Sequence, residues 1–281
     1  MPSTVTTTDS GGSRVGSLSL AEKARLAAFS LVALAIIALN VALTPVEVLG
    51  ALFLSWGGGF GIHQVHDMVI SGLLWIAVLL PFALMLYHPS DRVNTILAPV
   101  FAVSVVAVFA FLAESPLFTG FLTTSVLAVV ALALHPAGRS LLRFDRVEAV
   151  DRRLAGLFVV GAVPLLAFAT LETTKPLGIA DEHALFVHYG AMAITAALVV
   201  LMGALAVLRR RDWRFAAWSS GLLAATLGVV SVGFPTIESS LGVLGGALAI
   251  AWALAFVAGV EYARRDSVQA DHGGDAVSGT V

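Results

Sequence analysis

Residues 187–208 read VHYGAMAITAALVVLMGALAVL: twenty-two positions, almost all apolar, with a single histidine at the opening and no carboxylate, lysine or arginine. At about 1.5 Å per residue such a run covers roughly the 30 Å hydrocarbon core of a bilayer. It is also too uniform to be the half-wet face of a soluble helix, so it predicts a helix that crosses a membrane.

Working outward, seven more runs of similar character appear: from Ser19-x-x-Glu22, a capping-box pattern, to about Leu43, then near 67–87, 95–113, 117–135, 153–171, 215–234 and 241–262. Backbone polar groups in lipid must be satisfied within their own segment, so these runs predict helices and no open sheet. The whole chain agrees, being 58% apolar and 12% charged, against roughly 25% charged in soluble domains. The expected fold is an all-α integral membrane protein with eight transmembrane helices. The stretch Val46 to Trp56 is too short to span and predicts an interfacial or re-entrant piece.

Fifteen of the sixteen lysines and arginines fall in the N-terminal segment, the even-numbered loops or the C-terminal segment. The odd-numbered loops hold only Lys175. By the positive-inside rule both termini and the even loops are cytoplasmic, in a multi-pass protein of the cell membrane. The net charge of −2 argues against a nucleic-acid partner. The partner implied throughout is the lipid bilayer, with a membrane-complex partner left open. The chain has no cysteine, which removes disulfides, thiolate ligands and cysteine nucleophiles. The first run is longer than a signal-peptide core and predicts a retained helix.

Landmarks recur at a nearly constant offset: Glu47 and Glu172, His66 and His188, Arg92 and Arg214, Glu114 and Glu238. They predict two tandem parallel four-helix repeats, 19–135 and 153–265, joined by a basic cytoplasmic linker, 136–152. Residues 1–18 and 266–281 read as disordered cytoplasmic tails. Four helices per unit return the chain to the cytoplasm, so the two units share one orientation.

No ionisable side chain falls at the centre of a span, which counts against an ion-coupled transporter. The buried polar residues are mild, and most are expected to make hydrogen bonds between helices or back to the fourth residue behind. The outer rim differs: it gathers His63, His66, His183 and His188 with Asp67, Glu114, Glu172, Asp181, Glu182 and Glu238. Neutral imidazole is the commonest metal ligand, and a neighbouring carboxylate fixes its tautomer. His66 and His188 are the expected principal ligands, supported by His63, His183, Glu114 and Glu238, for a divalent transition metal or, as a facing pair, a haem. A wet rim also tolerates such residues as plain solvated loop. No catalytic motif is present, neither G-x-S-x-G nor H-E-x-x-H nor a phosphate loop.

Eight helices in two halves, with histidines opening the second and sixth at the outer face, resemble the plan of haem A synthases. That family carries further histidines at the fourth and eighth helices, where this chain has Glu114 and Glu238, so the likeness covers the bundle plan and not the catalytic residues. The segment HQVHDMVISGLLW, residues 63–75, is similar to histidine-bearing helices of copper-handling oxidase-assembly proteins. The functions these features imply are respiratory-complex assembly or electron transfer. The alternatives are a permease or lipid-handling protein with a path between the halves, or a structural membrane subunit.

Overall fold

A computed structural model describes residues 19–57, 61–88, 94–135, 138, 150–178, 181–208 and 213–277. Within them the chain is helical, in eight principal helices: α1 (Leu20–Leu43), α2 (Gly61–Tyr87), α3 (Leu97–Leu112), α4 (Phe118–Leu134), α5 (Arg152–Thr174), α6 (His188–Val207), α7 (Trp213–Gly233) and α8 (Gly242–Val277). Six of these, all but α3 and α4, are long and apolar enough to cross a membrane. α3 and α4 have 16 and 17 residues, or about 24–26 Å of rise.

The starts are local chemistry. Ser19 and Glu22 form the predicted box, with Glu22 Oε2 accepting from the Ser19 N–H at 2.8 Å and Ser19 Oγ accepting from the Glu22 N–H at 3.3 Å. Asp151 caps α5 through the Arg153 and Leu154 N–H groups. α8 continues as helix to Val277, past Arg265, where a tail was expected. No proline interrupts that stretch, and extending a helix costs far less than nucleating one.

Each half closes on itself. In the first, α1 packs on α2 and α4, and α3 on α2 and α4; in the second, α5 packs on α6 and α8, and α7 on α6 and α8. The halves meet through α2 against α6, α3 against α6, and α2 against α7. α2, α6 and α7 are therefore mostly buried, while α1, α5 and α8 turn Leu31, Leu34, Val159, Val163, Leu244 and Leu254 outward. Water does not drive such helices together inside lipid. Close packing and hydrogen bonds do.

The mild polar residues make those bonds. Asn40, Thr124 and Thr195 bond back to Ile36, Gly120 and Ala191; Ser104 meets Ser125 at 2.9 Å, and Ser220 reaches the Val199 carbonyl at 2.7 Å. A close helix approach sets Gly228 on α7 against Gly246 on α8, where a β-carbon on either would meet the other's carbonyl oxygen at 2.6 Å. Of the Gly242-x-x-x-Gly246 pair only Gly246 packs. Gly242 opens α8 at φ +69°, a turn conformation.

Prolines divide by position. Pro99 lies in the first turn of α3, where its missing N–H is no loss. Pro164 is inside α5. Pro81 follows a π-helical stretch, Leu74–Leu79, within α2; the wider turn relieves the ring's clash with the preceding carbonyls. Residues 47–57 form short helical turns packed on α2, with the Leu52 N–H donating to Ser71 Oγ at 3.3 Å. Tail 1–18, Asp91, Arg92, Arg209, Arg210, Arg211 and most of the linker 136–152 lie outside the described residues.

At the basic end, the Arg25 guanidinium of α1 donates to the carbonyls of Ala133, Leu134 and His135 at 2.8, 3.0 and 3.1 Å. It satisfies the last turn of α4 and favours that helix's dipole. Arg25→Ala is expected to lower stability by about 1–2 kcal/mol, measured by thermal unfolding in detergent. A shift within error would remove this clasp from the account.

Candidate metal centre at the mouth of the bundle

His63, His66, His183 and His188 come from two elements that the fold brings together. α2 begins six residues before its apolar run, so His63 and His66 lie one turn apart on one helix. The other pair spans a break: the single turn Glu182–Leu185 carries His183, and α6 starts at His188. Between them Val187 sits at φ 64°, a left-handed conformation unfavourable for a β-branched residue. That reversal turns two histidines five apart toward the same place, a geometry a continuous helix would not give.

The rings form one cluster. Centroids are 4.6 Å apart for His63 and His183, 4.9 Å for His63 and His188, 4.7 Å for His66 and His183, and 5.6 Å for His183 and His188. His63 Nδ1 and His188 Nδ1 are 3.2 Å apart. One ligand nitrogen from each of His63, His183 and His188 lies within 4.8 Å of the other two. A tetrahedral ion at ~2.0–2.1 Å from each nitrogen needs them ~3.3 Å apart. One pair already meets that spacing, and the widest must close by about 1.5 Å.

Behind each ring stands a carboxylate on the other nitrogen: Glu182 3.6 Å from His63 Nε2, Asp181 3.5 Å from His183 Nδ1, and Asp67 3.6 Å from His188 Nε2. These separations are just beyond hydrogen-bond length, so a small shift makes the bonds. The pattern leaves His63 Nδ1, His183 Nε2 and His188 Nδ1 clear of carboxylates. His183 Nε2 and His66 Nδ1 are buried without a hydrogen-bond partner among the described residues, which costs about 1–3 kcal/mol each if nothing binds them. Asp181 also accepts from the Ala184 N–H at 2.9 Å and the Tyr189 hydroxyl at 3.0 Å. Burial pushes its carboxyl up, but these donors and His183 outweigh it and hold the group below the ordinary carboxylate value.

The other expected ligands are placed differently. His66 stacks on His188, the rings nearly parallel at 14° and 5.2 Å, and stands outside the three-nitrogen set. Two rings presenting faces leave no room for a porphyrin held nitrogen to nitrogen, so a haem between His66 and His188 does not fit. Glu114, itself at φ 51°, lines an open groove of about 520 Å³ with Asp181 and Glu182, and no histidine lines it. Glu238 borders a second opening beside His183 but pairs with Lys175 at 3.4 Å.

Three participants were missed in sequence. Lys175 donates to Glu172 Oε1 at 2.8 Å and to Ser239 Oγ at 3.0 Å, and lies 4.9 Å over the Tyr189 ring. Ser239, at φ 63°, joins His66 to Glu172, and Tyr189 anchors Asp181. Being the one basic residue of the odd-numbered loops was a signal for Lys175; nothing marked Ser239 or Tyr189. No protein-family model, no curated protein and no solved structure matches this chain.

Proposed function

We propose that this is an eight-span membrane protein that binds a transition-metal ion at its outer face through His63, His183 and His188. The observation that carries this reading is the clustering itself: one nitrogen from each of three imidazoles lies within 4.8 Å of the other two, and each ring has a carboxylate 3.5–3.6 Å from one of its nitrogens. Outer partners of this kind fix the tautomer and raise ligand basicity in metal sites. Imidazole donors suit zinc, copper, iron or nickel. The work that fits is metal handling at the outer surface, in the service of a respiratory complex or of electron transfer. A permease path between the halves has less support, since α2 and α6 are in direct contact there and buried along most of their length.

The test is the metal content of the full chain, purified in detergent after loading with Zn²⁺, Cu²⁺ or Co²⁺ and desalting. About one ion per chain is expected. A chain that holds none after each loading overturns the reading.

A duplicated four-helix unit is part of the proposal. It is supported by the two closed rings of helices and by the symmetric contacts between them. His63 and His188 are 125 residues apart and touch Nδ1 to Nδ1, as equivalent residues beside a twofold axis do. Glu47 and Glu172 share that offset, as do the left-handed residues Glu114 and Ser239. An offset of 125 therefore pairs His188 with His63 and not with His66. The outer placement of the cluster is supported by the gathering of Arg25, Arg214 and Arg264 with His135 and Glu261 among the helix ends away from it. With no native cysteine, Thr236→Cys is expected to react with an impermeant maleimide on intact cells, and Arg153→Cys only after permeabilisation. The reverse result would invert the topology.

A further inference from the structure

Hydrogen-bond accounting around Ser239 fixes the state of the fourth histidine. The Ser239 hydroxyl has one proton, and it lies 2.9 Å from Glu172 Oε2, 3.0 Å from Lys175 Nζ and 3.0 Å from His66 Nε2. A carboxylate only accepts and an ammonium only donates, so the serine proton goes to Glu172 and one serine lone pair takes the lysine. The remaining lone pair needs a donor, which makes His66 the Nε2–H tautomer. Its Nδ1 is then a bare lone pair. That atom is buried in a fully buried residue, packed against His183 and His188, with no hydrogen-bond partner among the described residues.

From this geometry we infer that His66 supplies a fourth nitrogen to the metal centre, presented by the Glu172–Lys175–Ser239 chain, so that four imidazoles enclose the ion. The inference rests on the three-histidine site above and goes beyond it. His66 stands just outside that set. Joining the set requires its Nδ1 to move toward the other three rings while Nε2 keeps its bond to Ser239. Ser239 itself sits in a left-handed conformation, which costs of order 1–3 kcal/mol. Four neutral nitrogens in a tetrahedron suit Zn²⁺, with Co²⁺ as its spectroscopic stand-in, and leave no position for a bound water. Such a centre holds its ion firmly; it does not activate water on it.

The experiment counts imidazoles around the ion in the full-length, Zn²⁺-loaded protein by X-ray absorption, with the visible spectrum of the Co²⁺ form as a second readout. Four imidazoles are expected in the wild type. His66→Ala is expected to give three with an added oxygen and to keep about one ion per chain. Ser239→Ala leaves His66 in place but removes its acceptor, and is expected to weaken Zn²⁺ binding about 10–100-fold. Three imidazoles and an oxygen in the wild type would overturn the inference while leaving the three-histidine site intact. So would Ser239→Ala binding Zn²⁺ as tightly as the wild type, and this second variant decides the matter should His66→Ala not fold. A merely structural His66 would lower thermal stability without changing the imidazole count. A wild type that binds no ion fails both readings and is recognised by its metal content alone.

Discussion

The His188→Ala chain is expected to purify without a bound ion, after a loading that leaves the wild type with about one per chain. His188 touches all three other rings: it is 4.9 Å from His63, 5.2 Å from His66 and 5.6 Å from His183, and it is buried. Its Nδ1 makes the closest approach to another ligand, and Asp67 stands behind its Nε2. Truncation removes one of three nitrogens and strands Asp67 without its imidazole. Loss of an outer partner alone typically costs 10–100-fold in metal affinity, so loss of the ligand is expected to cost more than about 100-fold. His88→Ala, which removes a histidine at the far end of α2, is the control and is expected to bind as the wild type does. Calorimetric or competition titration with Zn²⁺ reads both. If His188→Ala binds within threefold of the wild type, the cluster is not the metal centre.

Gly246→Val carries the largest expected effect on the fold. The space for a β-carbon there is closed by the Gly228 carbonyl oxygen at 2.6 Å and the Val232 backbone nitrogen at 3.0 Å. Backbone atoms do not rotate aside as a flexible side chain does, so α7 and α8 must separate along their most extensive contact. Overpacking ordinarily costs 1–3 kcal/mol, and this site belongs at the upper end, about 3 kcal/mol. In lipid the separated faces gain no compensation from water. The readout is thermal unfolding or resistance to denaturing detergent. Gly245→Val, one residue away, meets only the β-carbon of Leu241, just before α8, at 2.9 Å and no neighbouring helix, and is expected to cost less. Equal losses for the two variants would refute the close-approach argument.

Much of the fold was legible because hydropathy is local. The run read at 187–208 forms His188–Val207, and that at 95–113 forms Leu97–Leu112. α2 was read six residues short. Gln64 and His66 look like loop in a hydropathy profile, but they are buried inside the mouth of the bundle, where hydrogen bonds replace apolar contact. The prolines were visible, but whether each kinks a span depends on its position in the turn, which the sequence located only roughly.

The candidate site was half legible. The confinement of fifteen of the sixteen basic residues to one set of segments grouped the four histidines with the other loops, and the proposed repeat would place them on corresponding helices. The sequence also offered Glu114 as a ligand, and the fold sends it into a separate groove.

By itself the sequence determined that this chain is made of membrane-crossing helices and that four of its seven histidines share one end of them, because span length and charge asymmetry are properties of single segments. Only the tertiary structure decided which nitrogens converge, which carboxylate stands behind each ring, and that Ser239, 173 residues from His66, holds the fourth histidine. Those are relations between side chains on different helices. They follow from how α2, α6 and the α7–α8 turn dock, which no local run of residues encodes.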